Sequence, residues 1–184
     1  MRPLFTIHAG EYLVGSHIEA QFKDWRVWIP SKDTGIDLLI SNADNSKTAS
    51  IQVKFSKDYL VTQGKPAERR KLVSCGWWTL NRQKLVESPA NFWVFVSHSF
   101  KQKNMQYVIV KPKDIYKRLS HIHKPTKVIQ TYIWVTTSGK CWETRGLKKH
   151  EQDAIINDDI CDIDKARNLT SFLNNWNPLK EKLT

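Results

Sequence analysis

The chain has 184 residues, of which 40% are apolar and 11% aromatic, with eight Trp; that suits one core of single-domain size and is too apolar for a disordered chain. Seven Gly and seven Pro exclude fibrous and low-complexity classes, no apolar run reaches the roughly 18 residues of a membrane span, and Met1–Gly10 lacks the basic-then-apolar order of a secretory leader. Twenty-nine Lys and Arg against 18 Asp and Glu give a net charge of +11, and residues 1–150 alone carry 25 basic and 11 acidic residues, a net of +14.

The first predicted element is a helix over 10–23, in which Glu11, Val14, Gly15, Ile18 and Phe22 fall on one face. An alternating strand, Trp25–Pro30, follows, then a polar turn at Ser31–Gly35 and a mostly apolar strand, Ile36–Ser41. The Asn/Asp/Ser-rich segment 42–48 joins it to Ala49–Ser56, which alternates strictly, with Ile51, Val53 and Phe55 on one side and Gln52, Lys54 and Ser56 on the other. Residues 57–74 are hydrophilic and read as a loop or short helix; Trp77 and Trp78 precede a helix placed at Leu80–Glu87. Strands follow at 92–100 and 106–111, and Pro112 opens a helix. A hairpin spans 130–137 and 140–144, residues 151–164 read as an acidic loop, and 164–176 as a closing amphipathic helix with Asp164 as N-cap. The expectation is one α/β domain over 1–184, with a mixed sheet of about five or six strands flanked by helices.

Cys75, Cys141 and Cys161 are far apart and never form a C-x-x-C pair, so neither a disulfide framework nor a zinc knuckle is expected, and a reduced, cytoplasmic protein is. A field of this sign concentrates polyanions, of which nucleic acid is the commonest.

Chemistry concentrates in the first sixty residues. Glu11 sits at the head of the first helix, Asp37 at the start of a strand, and Gln52 and Lys54 on one face of the next. Two carboxylates and an amide oxygen suit a hard divalent cation, with a lysine to stabilise developing negative charge. Glu19 lies about 80° around the helix from Glu11. Asp33 and Asp44 are turn residues, His98 reads as a strand histidine, and His121 and His123 lack a third ligand at useful spacing. Cys75 has no base nearby in sequence. Lys65, Arg69, Arg70 and Lys71 form a basic run one loop beyond the Gln52–Lys54 strand, suited to phosphates, with Ser56 as a further phosphate contact. Trp77 and Trp78 read first as core and second as platforms for unpaired bases.

The sequence G-E at the helix head, then T-G-I-D-L-L-I, then I-Q-V-K-F-S resembles the PD-(D/E)XK nuclease superfamily, with its restriction-endonuclease-like fold and its Holliday-junction resolvases. The motifs span residues 10–56, and a looser likeness through FWVFV and Tyr107–Lys111 runs to about 120. The resemblance implies Asp37 as principal metal ligand, Lys54 as catalytic lysine, Glu11 as the helix acid, and Gln52 where the superfamily usually has Glu or Asp. It also implies Mg2+, with Mn2+ as substitute, a DNA substrate cut by phosphodiester hydrolysis, and a homodimer. The alternatives are a catalytically inactive DNA-binding module of the same fold and an RNA-processing nuclease.

Overall fold

The computed structural model describes residues 8–32, 34–59, 66–99, 103–159 and 163–184. Helix α1, Ala9–Gln21, packs Val14 and Ile18, both fully buried, against the sheet, as the spacing of its apolar residues requires. Strands β1 (Arg26–Trp28), β2 (Leu38–Ser41) and β3 (Thr48–Lys57) form an antiparallel meander. After helix α2 (Pro66–Lys71) and strand β4 (Leu72–Asn81) come helix α3 (Arg82–Val86) and strands β5 (Phe92–Ser99) and β6 (Asn104–Val110). Strand β5 pairs parallel to β3, with Gln52 opposite Trp93 and Lys54 opposite Phe95, and β6 pairs antiparallel to β5. The result is a five-stranded mixed sheet in the order β1-β2-β3-β5-β6. This is the restriction-endonuclease-like arrangement that was expected, a mixed sheet flanked by helices.

The remaining strands form a second sheet rather than extending the first. Strands β7 (Val128–Thr136) and β8 (Cys141–Glu143) join β4 in the order β4-β7-β8, after helix α4 (Pro112–Ile122). The helix expected at Leu80–Glu87 is therefore displaced: strand pairing with β7 continues to Asn81, and only Arg82–Val86 is helical. Trp78 and Leu80 alternate inward with Trp77 and Thr79 outward, a period of two that the paired tryptophans had masked.

Each face of the five-stranded sheet has its own core. One face, through Ile51, Val53, Val94 and Val96, packs on α1 and on the last helix, α6 (Asn177–Leu183, after α5, Lys149–Asn157). The other, through Trp93, Phe95, Val108 and Val110, packs on Trp78, Leu80, Ile133 and α4. A third cluster, with Cys75, Trp134 and Trp142, lies beneath α5.

Two C-terminal expectations are corrected. The acidic segment 151–164 is not a loop throughout, because Lys149–Asn157 is helical: Ile155 and Ile156 bury themselves in the third cluster, and the Glu151 carboxylate accepts the Lys148 N–H at 2.6 Å. Nor is 164–176 one helix. Asp164 does cap, accepting the Ala166 N–H at 2.8 Å, but the segment makes two 3-10 turns, Lys165–Arg167 and Thr170–Phe172, and α6 begins only at Asn177. Tertiary hydrogen bonds hold it extended: Asn174 receives the Tyr107 N–H on Oδ1 and gives its own N–H to the Tyr107 carbonyl, and Leu173 bridges to Val108. No described helix is long and apolar enough to cross a membrane.

Candidate functional site

Strand β2 is shorter than β3, and this mismatch builds the site. Pairing ends at Leu38 opposite Ile51, with the Asp37 N–H donating to the Ile51 carbonyl at 2.8 Å. Beyond that point β3 runs on without β2 beside it. The next N–H on that edge, that of Val53, is taken instead by Asp37 Oδ2 at 2.7 Å. The Asp37 carboxylate, only 6% exposed, thus caps the open edge of β3. Gln52 Nε2 donates to the same oxygen at 2.5 Å. Gly35, at φ +83°, supplies the left-handed turn that leads the chain into Asp37; a Cβ there would lie 3.4 Å from Pro89 and 3.7 Å from Gln52 Oε1.

Helix α1 delivers Glu11 to the same place. A Cβ on Gly10 would stand 2.6 Å from the Cβ of Phe55 and 3.2 Å from Val53, so only glycine lets the first helical turn lie against β3. Glu11, 4% exposed, accepts the His8 N–H at 3.2 Å, closing the helix start where the macrodipole favours an acid.

Lys54 shares the Gln52 face of β3. Its Nζ lies over the Trp93 ring, 4.9 Å from the centroid, and Trp93 is itself fixed by its indole N–H to Ser88 Oγ at 2.8 Å. The Lys54 carbonyl accepts the Trp78 indole N–H at 2.9 Å, so the backbone that carries the lysine is tied to the second sheet.

Glu11, Asp37, Gln52 and Lys54 together line one cleft of about 1010 Å³. Its far wall is the end of β4 and helix α3, with Thr79, Asn81, Lys84 and Glu87. These last four residues and Trp93 escaped the sequence reading. Trp93 reaches the cleft through the parallel pairing of β5 with β3, and the other four come with β4, which packs against β3, a placement that the helix expected at Leu80–Glu87 concealed.

Other expected contacts fall elsewhere. Ser56 is buried and engaged, accepting the Trp77 N–H at 2.9 Å and donating to the Lys57 carbonyl at 3.0 Å; it ties β3 to β4 and does not line the cleft. Arg69, Arg70 and Lys71 belong to α2, before β4, whereas the cleft lies at the other end of that strand. Eight or so residues of strand put them about 25 Å away. Lys65 and Asp33 lie outside the described residues. His121 and His123 are no pair: they sit at the end of α4, one against Asp164 at 2.9 Å and the other against buried Glu143 at 3.1 Å.

The donor set, two carboxylates and an amide carbonyl, is hard oxygen throughout and fits a magnesium-type ion. Among the described residues no three His, Cys, Asp or Glu side chains gather in a metal-binding group; the cleft lining offers the Gln52 side-chain amide beside the carboxylates of Glu11 and Asp37.

Residues 18–65 match the model of a restriction endonuclease family. The match covers β1, β2 and β3 and includes Asp37, Gln52 and Lys54, in agreement with the resemblance to the PD-(D/E)XK superfamily, and it marks the segment as nuclease-like. Domains of this type usually work with divalent metal ions. No curated protein and no solved structure is matched.

Proposed function

We propose that this protein is a metal-dependent DNA endonuclease that hydrolyses phosphodiester bonds in the cleft between α1, β3 and α3. The observation that carries the reading is the convergence of Glu11, Asp37, Gln52 and Lys54 on that one cleft. The restriction endonuclease match over the same strands supports it, as does the net charge of +11.

Asp37, Glu11 and the carbonyl oxygen of Gln52 would hold the ion, Mg2+ or in its place Mn2+. When bound it makes water more nucleophilic and offsets charge on the phosphodiester. Gln52 has to turn its amide so that oxygen replaces Nε2, giving up its bond to Asp37. Lys54, held against Trp93, keeps an ammonium beside the oxygens on which negative charge builds. Lys84, on the far wall, suits a flanking phosphate. Cutting both strands of a duplex takes two such sites, and the reading includes a homodimer.

The test is nicking of supercoiled plasmid in Mg2+ or Mn2+ by the wild type, Asp37→Ala and Lys54→Ala. Each substitution is expected to lower the rate about a hundredfold or more, and equal rates in all three would remove the site. One observation favours a second reading, a DNA-binding module without catalysis: a neutral amide already bonded to Asp37 stands where a third acid would bind the ion more tightly. Salt-sensitive mobility shifts without cleavage by the wild type would select that reading.

A further inference from the structure

The second sheet turns an aromatic surface outward beside the cleft. The adjacent tryptophans of β4 part company there: Trp78 is 5% exposed and belongs to the core, while Trp77 is 50% exposed on the opposite face. Trp77 stands directly across from Tyr132 of β7, and antiparallel partners share a face. The Arg145 guanidinium covers the Tyr132 ring at 5.5 Å from its centroid and donates to its hydroxyl at 3.4 Å. Two residues along β4 from Trp77, and so on its face, Thr79 lines the cleft.

We propose that Trp77 and Tyr132, with Arg145, form a stacking platform for the unpaired bases of a nucleic-acid strand that enters the cleft past Thr79. This rests on the nuclease reading, since that cleft has to receive the strand's phosphate. An exposed indole opposite a tyrosine ring that a guanidinium covers suits a polymer that offers a π-face and a negative charge at every unit. Stacking of this kind tolerates any base. The surface is also continuous with the cleft, and the positive body attracts the same polymer. The preferred substrate is accordingly DNA with a single-stranded segment, such as an overhang or flap, next to the cleaved bond.

Fluorescence polarisation with the full chain in EDTA separates binding from cleavage. The probes are a labelled single-stranded oligonucleotide, a blunt duplex of the same sequence and that duplex with an overhang. Trp77→Ala is expected to weaken binding of the single strand and the overhang roughly tenfold, to leave the blunt duplex within about twofold, and to melt like the wild type; Trp77→Tyr restores most of the loss. Equal losses on all three probes, no loss on the single strand, or no binding of any probe by the wild type overturns the platform. The two readings fail separately. If Asp37→Ala nicks plasmid like the wild type while Trp77→Ala still loses the single strand, the catalytic reading falls and the platform stands. If cleavage depends on Asp37 but Trp77→Ala binds every probe normally, the platform alone falls.

Discussion

Replacing Gln52 with glutamate tests the logic of the cleft most directly. In the wild type the Gln52 amide donates to Asp37 at 2.5 Å, so the metal-free site is already satisfied. Glutamate abolishes that bond and sets a second negative charge in contact with the first. Two unit charges about 4 Å apart repel by about 4 kcal/mol at the effective dielectric usual near a protein surface. Gln52 is partly exposed to the cleft, so rotation and water relieve much of this, and a net loss of about 1–2 kcal/mol is expected for the metal-free variant. For a chain of this size that lowers Tm by roughly 2–8 °C at neutral pH. A divalent cation reverses the sign, because the added carboxylate attracts it and no amide has to be turned. Gln52→Glu is therefore expected to bind Mn2+ about 10- to 100-fold more tightly and to recover its melting temperature as the ion is added. Calorimetric titration with Mn2+ and thermal melts with and without the ion read both effects. A variant that melts like the wild type without metal and binds Mn2+ no more tightly would refute the claim that residues 37 and 52 share an ion.

Gly10→Val should push α1 off β3, since its Cβ alone would fall 2.6 Å from that of Phe55; about 1–3 kcal/mol of stability and most nicking activity should be lost, read by melting and by the plasmid assay. Arg167→Ala removes the cationic partner of the fully buried Glu143 carboxylate, which it contacts at 2.5 Å, leaving His123, Thr131 and the Arg145 N–H as partners. That should cost about 3–5 kcal/mol in a denaturant titration, part of it recovered by adding Glu143→Gln. Burial among Tyr107 and Trp176, at ring distances of 4.6 and 5.2 Å, holds the His17 imidazole below its ordinary pKa. The unfolded chain then takes up a proton that the folded one refuses, so stability should fall as pH drops below about 6.5. Melts across pH 5 to 8 should show a shallower slope for His17→Phe.

Local chemistry is enough to read the first sixty residues. A helix with one apolar stripe, a strand alternating strictly from Ala49 to Ser56, and turn residues between them leave few ways to fold, and a period of two puts Gln52 and Lys54 on one face whatever surrounds them. Asp37 and Glu11 are joined to them by order and spacing together with the resemblance to the PD-(D/E)XK superfamily, and all four line one cleft. What completes the cleft depends on contacts between distant segments. Parallel pairing of β3 with β5 lays Trp93 beneath Lys54, and the premature end of β2 turns Asp37 into the cap of an open edge. The packing of β4 against β3 carries Lys84 and Glu87 to the far wall while leaving the basic run of α2 at the strand's other end. The same division governs the C-terminal segments, where 151–164 and 164–176 were misread because their conformations answer to buried isoleucines and to hydrogen bonds with β6 rather than to their own composition. Periodicity is a property of neighbours along the chain and is written in it; strand order, strand length and the packing of two sheets arise between parts that no local pattern relates.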